Sequence, residues 1–200
     1  MADYSLQQIQ LRVRKIWLTE FYEFCDTELN EASQRVMTDL LNFESDLQTI
    51  QIISNSLSYG GANNAGRDNE RKKYISKIGY LYPDRSLRLD DVQDFAGLVK
   101  ALEGTPYEEM IRKVANSDDR NEAEASGSTI DEVMLQEASK RYSTGFEGAF
   151  HVGCFYAYLK LKEQEIKNVT WLAELVQMQV SRNLPGWNKY VVPFQYHKND

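Results

Sequence analysis

The chain has 200 residues, with 23 basic against 30 acidic side chains and a net charge of -7. That average field repels nucleic acid, and neither basic cluster (Arg12, Arg14, Lys15; Arg71, Lys72, Lys73) is interleaved with aromatics as a base-stacking platform would be. A hydrophobic content of 42% excludes wholesale disorder, and only 4 prolines and 11 glycines leave room for long uninterrupted helices, so an all-α fold is expected.

In chain order, Ser5 followed by Gln8 fits a capping box, with Asp3 adding negative charge at the helix start. Ile9, Val13, Trp17, Phe21 and Phe24 then recur at helical spacing and predict the core-facing side of a first helix that fades near Leu29. A second long helix follows. Val36, Leu40, Phe43, Leu47, Ile50 and Leu57 form its stripe, widened by Met37, Leu41 and Ile53, and Gly60-Gly61 ends it. Tyr74, Ile75 and Ile78 suggest a short helix closing at Gly79, before a turn at Tyr82-Pro83-Asp84.

Asp90 or Asp91 can cap the next helix, whose inner face is Val92, Phe95, Val99 and Leu102. Thr105-Pro106-Tyr107-Glu108 combines an N-cap, a first-turn proline and a glutamate, and predicts a helix to about Val114. Residues 116–128 are acidic and lack apolar periodicity. They read as a linker between a helical lobe, 1–115, and a C-terminal helical region, 129–200, opened by Thr129 with Glu132. That region should run with few breaks to about Arg182, and an aromatic tail from Trp187 could pack back on the body.

Within it, Gly145, Ala149, Gly153 and Ala157 recur every four residues, as a close helix–helix seam requires, with Phe146, Phe150 and Leu161 beside it. The apolar stretch from Phe146 to Leu161 is too short and too charged to span a bilayer and reads as a buried helix, so membrane association would be peripheral. Cys25 and Cys154 make no disulfide framework, and no signal peptide is evident, which suits a reduced, cytosolic setting. His151 and Cys154 could share a helix face, but the chain lacks four ligands at paired spacing, so no metal or cofactor is expected. Lys160, Lys162, Glu163 and Glu165 form a charge run that reads as a solvated face, or else as an ion network at a lobe junction. Glu44 and Asp46, two apart on a helix, do not face each other as an acid–base pair would. Without a phosphate loop or a nucleophile elbow, no active site is indicated.

The run from Phe150 to Glu165 (FHVGCFYAYLKLKEQE), continued by KNVTWLAE from Lys167 to Glu174, resembles the signature of the vacuolar-type ATPase subunit d family, a V0-sector family with archaeal A-type ATPase relatives. Arg14 to Cys25, Leu41 to Asp46 with Asn55-Ser56 downstream, and Ile78 to Pro83 are similar to further stretches of that family in the same order. The positions matching its motifs are Phe43, Glu44, Asp46, Gly79, Tyr82, Pro83, Gly153, Ala157, Lys162, Glu163, Glu165, Trp171 and Glu174, expected to be structural.

The resemblance implies helical lobes forming a non-catalytic coupling subunit of a rotary proton-pumping ATPase. Such a subunit is peripheral on the cytoplasmic face of an acidified-organelle membrane. Its expected partners are the proteolipid ring and the central stalk, between which it transmits torque. The match covers the family's C-terminal half, so a separate chain supplying the N-terminal half is a further expected partner. Leu47-Gln48 replace an arginine pair of the family pattern, and Ser45 replaces an alanine. An adaptor that kept the helical lobe but left the pump is the alternative.

Overall fold

The computed structural model describes residues 6–58, 71–84, 89, 92–118, 130–148, 150–179 and 191. Among them the chain is helical, with no strand. It divides into two compact units, Met1–Thr105 and Pro106–Asp200. The division precedes the expected lobe boundary at residue 115, because the helix that begins at Glu108 packs with the C-terminal helices.

In the first unit, α1 (Leu6–Glu28) runs back along α2 (Glu31–Ser58). Asn30 makes the corner: its Oδ1 accepts the Ser33 N–H at 2.9 Å, and its carbonyl accepts the Gln34 N–H at 2.8 Å. Gln34 Nε2 also donates to the Asp26 carbonyl and to Asp26 Oδ1, both at 2.8 Å, fastening the start of α2 to the end of α1. The capping residues Asp3 and Ser5, and the Gly60-Gly61 terminator, lie outside the described residues.

The middle of the apolar stripe expected on α2 is in the core, while Val36 and Leu57 at its ends are only half-buried. Leu40, Leu41, Ile50 and Ile53 are essentially inaccessible, and Met37, Phe43 and Leu47 are buried beside them. From Phe43 to Ile50 every residue is buried, so α2 is enclosed on all sides there. For α1 the expected face is reversed. Leu18 and Cys25 point inward, and burial pushes the Cys25 thiol pKa up. Ile9, Val13, Trp17 and Phe24 are exposed, Val13 at 60%, and Phe21 is only half-buried. Amphipathic spacing locates a stripe without saying what covers it, and α2 meets the opposite side of the helix.

Residues 71–74 form one helical turn, shorter than expected, followed by an irregular segment to Asp84 with a cis Tyr82–Pro83 bond. The next helix, α3 (Phe95–Ala101), touches α2 and is capped by Asp94, whose Oδ1 accepts the Gly97 N–H at 2.7 Å. Asp94 therefore caps it in place of Asp90 or Asp91, which lie outside the described residues, and Val92 precedes the helix.

The second unit holds α4 (Glu108–Asp118), α5 (Ile130–Thr144) and α6 (Gly153–Gln177), packed in sequence. Thr105 lies just before α4. Its hydroxyl donates to the Leu102 carbonyl at 2.6 Å, and the helix opens at Glu108. It then continues past Val114 into the expected linker, most of which, with Thr129, lies outside the described residues.

The C-terminal helical region is formed as two helices with one break between them. Residues 145–148 and 150–152 are not helical: Gly145, Phe146 and Glu147 make successive turns back to Tyr142, Ser143 and Thr144, and Phe150 has φ +65°. The stretch from Phe146 to Leu161 is accordingly not a buried helix: Phe146, Phe155 and Leu159 are exposed, and Phe150 is 96% exposed. Gly153 and Ala157 do face inward, together with Gln164 and Asn168, whose side chains bond at 2.9 Å. Gly145 is buried at the turn rather than on the same helix, and Ala149 and the tail from Trp187 to Phe194, apart from residue 191, lie outside the described residues.

Removing Leu41 by Leu41→Ala should cost about 2–5 kcal/mol in urea unfolding, as a fully enclosed leucine does. Val13→Ala, though it lies on the more regular apolar row, should change stability by under about 1 kcal/mol.

Candidate functional site

The enclosed segment of α2 carries Glu44, Ser45, Asp46, Gln48 and Thr49, all buried. Polar groups inside a core are costly unless paired, so their partners determine what lies against the helix. Asp39, Asn42 and Asp46 follow at steps of three and four and form a row on one face.

That row holds the irregular segment after the helical turn at 71–74. Gly79 N–H donates to Asn42 Oδ1 at 3.1 Å. Tyr80 N–H donates to Asp46 Oδ2 at 2.8 Å, and Leu81 N–H to Asp46 Oδ1 at 3.2 Å. The Tyr80 hydroxyl donates to Asp39 Oδ1. Beside the row, Ser45 donates to the Ile78 carbonyl at 2.7 Å. One carboxylate thus acts as an external cap for two consecutive backbone donors, which no strand or helix satisfies at that point.

Gly79 is required by this approach. Its φ is +120°, and a Cβ there would overlap Asp46 Oδ1 and stand 2.9 Å from Asp46 Cγ.

On another side of α2, Glu44 is buried and meets Arg14 of α1, with Nη2 to Oε1 at 3.4 Å. Glu44 and Asp46 therefore serve different neighbours, and the geometry joins them in no acid–base pair. Gln48 is 5% exposed. Neither its Nε2 nor its Oε1 has a hydrogen-bond partner among the described residues.

The two basic clusters of the sequence converge. Lys15 Nζ donates to the Lys73 carbonyl at 2.9 Å, tying α1 to the helical turn at 71–74. Burial lowers the Lys15 pKa, and the charges of Lys77 and Arg12 lower it further. Arg71 turns inward instead, with Nη1 donating to the Val92 carbonyl at 2.9 Å.

The motif positions therefore fall in two groups. Phe43, Glu44, Asp46 and Gly79 belong to the clamp in the first unit, with Tyr82 and Pro83 exposed just after it. Gly153, Ala157, Lys162, Glu163, Glu165, Trp171 and Glu174 are spread along α6 in the second. Lys162 pairs with Glu165 at 2.5 Å, both side chains about half exposed, and Lys160, mostly buried, with exposed Glu163 at 3.8 Å, all along one helix. Lysines 160 and 162 also lie over the rings of Tyr156 and Tyr158. Trp171 is half-buried, and the Glu174 carbonyl accepts the Met178 N–H where α6 ends.

His151 precedes α6 rather than sharing its face with Cys154, whose Sγ lies 3.4 Å from the His151 carbonyl, and no metal-ligating cluster occurs among the described residues. No helix among those residues is long and apolar enough to cross a membrane. Asp39, Asn42 and Ser45 were missed as contributors. Their helical spacing with Asp46 is readable in the sequence, but nothing there indicates that the segment at 78–81 returns to that face.

Residues 1–185 match the sequence profile of the family described as ATP synthase (C/AC39) subunit. The chain is 32% identical over 186 residues to V-type proton ATPase subunit d1 of Arabidopsis thaliana, a match covering 91% of this chain and 48% of that protein. It is 31% identical over 179 residues to the probable V-type proton ATPase subunit d of Oryza sativa subsp. japonica, covering 88% and 46%. A more distant similarity, 30% over 123 residues, links it to a subunit of the A-type ATP synthase of Methanothermobacter thermautotrophicus, covering 60% of this chain and 29% of that one. The chain spans about half the length of the V-type relatives it matches.

Asp46→Ala, by stranding the buried Leu81 N–H and the part-buried Tyr80 N–H, should destabilise the protein by about 2–4 kcal/mol, and Asp46→Asn by less, since one acceptor remains. Gly79→Ala should cost about 1–3 kcal/mol from its backbone conformation alone, with the clash added. Gln48→Met should instead raise stability by about 1 kcal/mol in the same denaturation assay, because it removes two unpaired buried polar atoms.

Proposed function

The chain belongs to the ATP synthase (C/AC39) subunit family, and on that premise we propose that it serves as a non-catalytic subunit of a rotary proton-pumping ATPase. The observation that carries this reading is the family match over residues 1–185, supported by V-type subunit d relatives from two plants. In this proposal the protein is peripheral, on the cytoplasmic face of an acidified-organelle membrane. It couples the proteolipid ring to the central stalk and passes torque between ATP hydrolysis and proton transport.

The clamp suits such a part. A helix enclosed on all sides, with its carboxylates committed to backbone donors and to a neighbouring helix, resists shear because displacement would strand buried polar groups. The motif residues on α2 and at Gly79 act by holding shape, not by touching a substrate.

Affinity purification of the tagged protein from gently solubilised native membranes, with mass spectrometry of what accompanies it, tests the assignment. Recovery of the proteolipid ring and central-stalk subunits in fixed proportion is the expected result. Recovery of the protein without them would overturn the coupling role and favour an adaptor, the reading to which the replaced arginine pair points.

A further inference from the structure

The first unit segregates its charges where the second matches them. In α4, α5 and α6 cations pair with acids of the same helix, as Arg112 with Glu108, Lys113 with Glu109 and Lys140 with Glu137. In contrast, no acidic residue occurs from Leu6 to Thr19 or from Arg71 to Pro83, although the chain as a whole carries a net charge of -7. Two cations of these stretches are committed, Arg14 to Glu44 and Arg71 to the Val92 carbonyl. Of the others, Arg12, Lys72, Lys73 and Lys77 are exposed and Lys15 is half-buried.

The fold gathers these cations instead of spreading them. The bond from Lys15 Nζ to the Lys73 carbonyl joins residues 58 apart in the chain, and the charges of both Arg12 and Lys77 act on the Lys15 ammonium. Acids of α2 that face the same segment are already engaged, Asp39 by the Tyr80 hydroxyl and Asp46 by the N–H groups of Tyr80 and Leu81. Among the described residues the side chains of Lys73 and Lys77 make no hydrogen bond or ion pair. Like charges held together in this way repel, and an anion seated among them relieves the repulsion.

The arrangement also limits the kind of anion. Lysine ammonium groups are compact point charges with three donors each, suited to phosphate oxygens approaching from several directions. Arg12 and Lys15 are neighbours on one helix face, about 5–6 Å apart, so the charges they meet must be close together. An extended acidic peptide sends successive side chains to opposite sides, and a nucleic acid would meet the acidic remainder of the chain. We propose that the surface where α1 meets residues 71–77, formed by Arg12, Lys15, Lys72, Lys73 and Lys77, binds a small anion carrying two or more phosphate groups. This site needs neither ring nor stalk, so it stands or falls separately from the coupling role.

Titration calorimetry of the full chain with inositol hexakisphosphate, and with pyrophosphate, is the test. Saturable binding that weakens as salt is raised is expected. The double substitution Lys73→Glu, Lys77→Glu should weaken it about tenfold or more, while the melting temperature stays within about 2 °C of the parent. Lys140→Glu, Lys167→Glu changes the net charge equally in the second unit and should bind as the parent does. Arg12→Gln, on the other side of the site, should alone weaken binding about fivefold. No saturable binding of either probe, an equal loss in both double variants, or no loss in Arg12→Gln would overturn the proposal. Flotation with phosphatidylcholine vesicles holding about 5 mol% phosphatidylinositol bisphosphate distinguishes the sources of the phosphate. Vesicle binding displaced by inositol hexakisphosphate makes the ligand a lipid headgroup, and binding of the soluble probe without vesicle binding makes it a free anion. Vesicle adsorption that the soluble probe does not displace would count against the site.

Discussion

Everything in the first unit follows from burying a polar stretch of helix. Between Phe43 and Ile50 no side of α2 faces water, yet Glu44, Ser45, Asp46, Gln48 and Thr49 all lie there. Each needs a partner or imposes a penalty, and the partners found define the neighbouring structure. Asp46 and Asn42 hold the backbone at Gly79 to Leu81, Ser45 holds the carbonyl at Ile78, and Glu44 holds Arg14 of α1. Thr49 returns its hydroxyl to the Ser45 carbonyl at 3.0 Å and closes the row within the helix itself. The tight approach of the segment leaves room only for hydrogen at position 79, so the glycine and the aspartate form one device.

This device explains why residues matching a family signature need not form a catalytic site. Carboxylates in a core draw attention as acids or bases, but here both oxygens of Asp46 accept backbone N–H groups, and Glu44 meets a guanidinium. Such pairings specify one arrangement of turn against helix, since sliding by a residue would strand several groups at once. Gln48 shows the same rule from its other side: a polar residue at an enclosed position with no hydrogen-bond partner among the described residues.

Both long outer helices place their more conspicuous apolar rows outward. In α1 the regular row is exposed, while Leu18 and Cys25 meet the interior. In α6 the inward side is Gly153, Ala157, Gln164 and Asn168, and Phe155, Leu159, Ile166 and Val169 face away. In α6, small residues and a bonded amide pair permit close packing inside the second unit. The large side chains of these rows stand exposed on the opposite side.

The sequence by itself determined the helical class, the two long helices at the start, the core stripe of α2 and the family, because periodicity and collinear motifs are local properties of the chain. It also marked Asp46 and Gly79 as important without saying that they touch. Only the tertiary structure decided that the row on α1 faces out and that α6 begins at Gly153, separate from the helix that ends at Thr144. It likewise decided that Asp94 is the cap of α3 and that Asp46 caps a turn more than thirty residues away. The physical reason is common to all of these. Helical spacing says which side chains share a face, but burial is a property of what arrives against that face. A hydrogen bond between distant segments leaves no periodic trace in either of them.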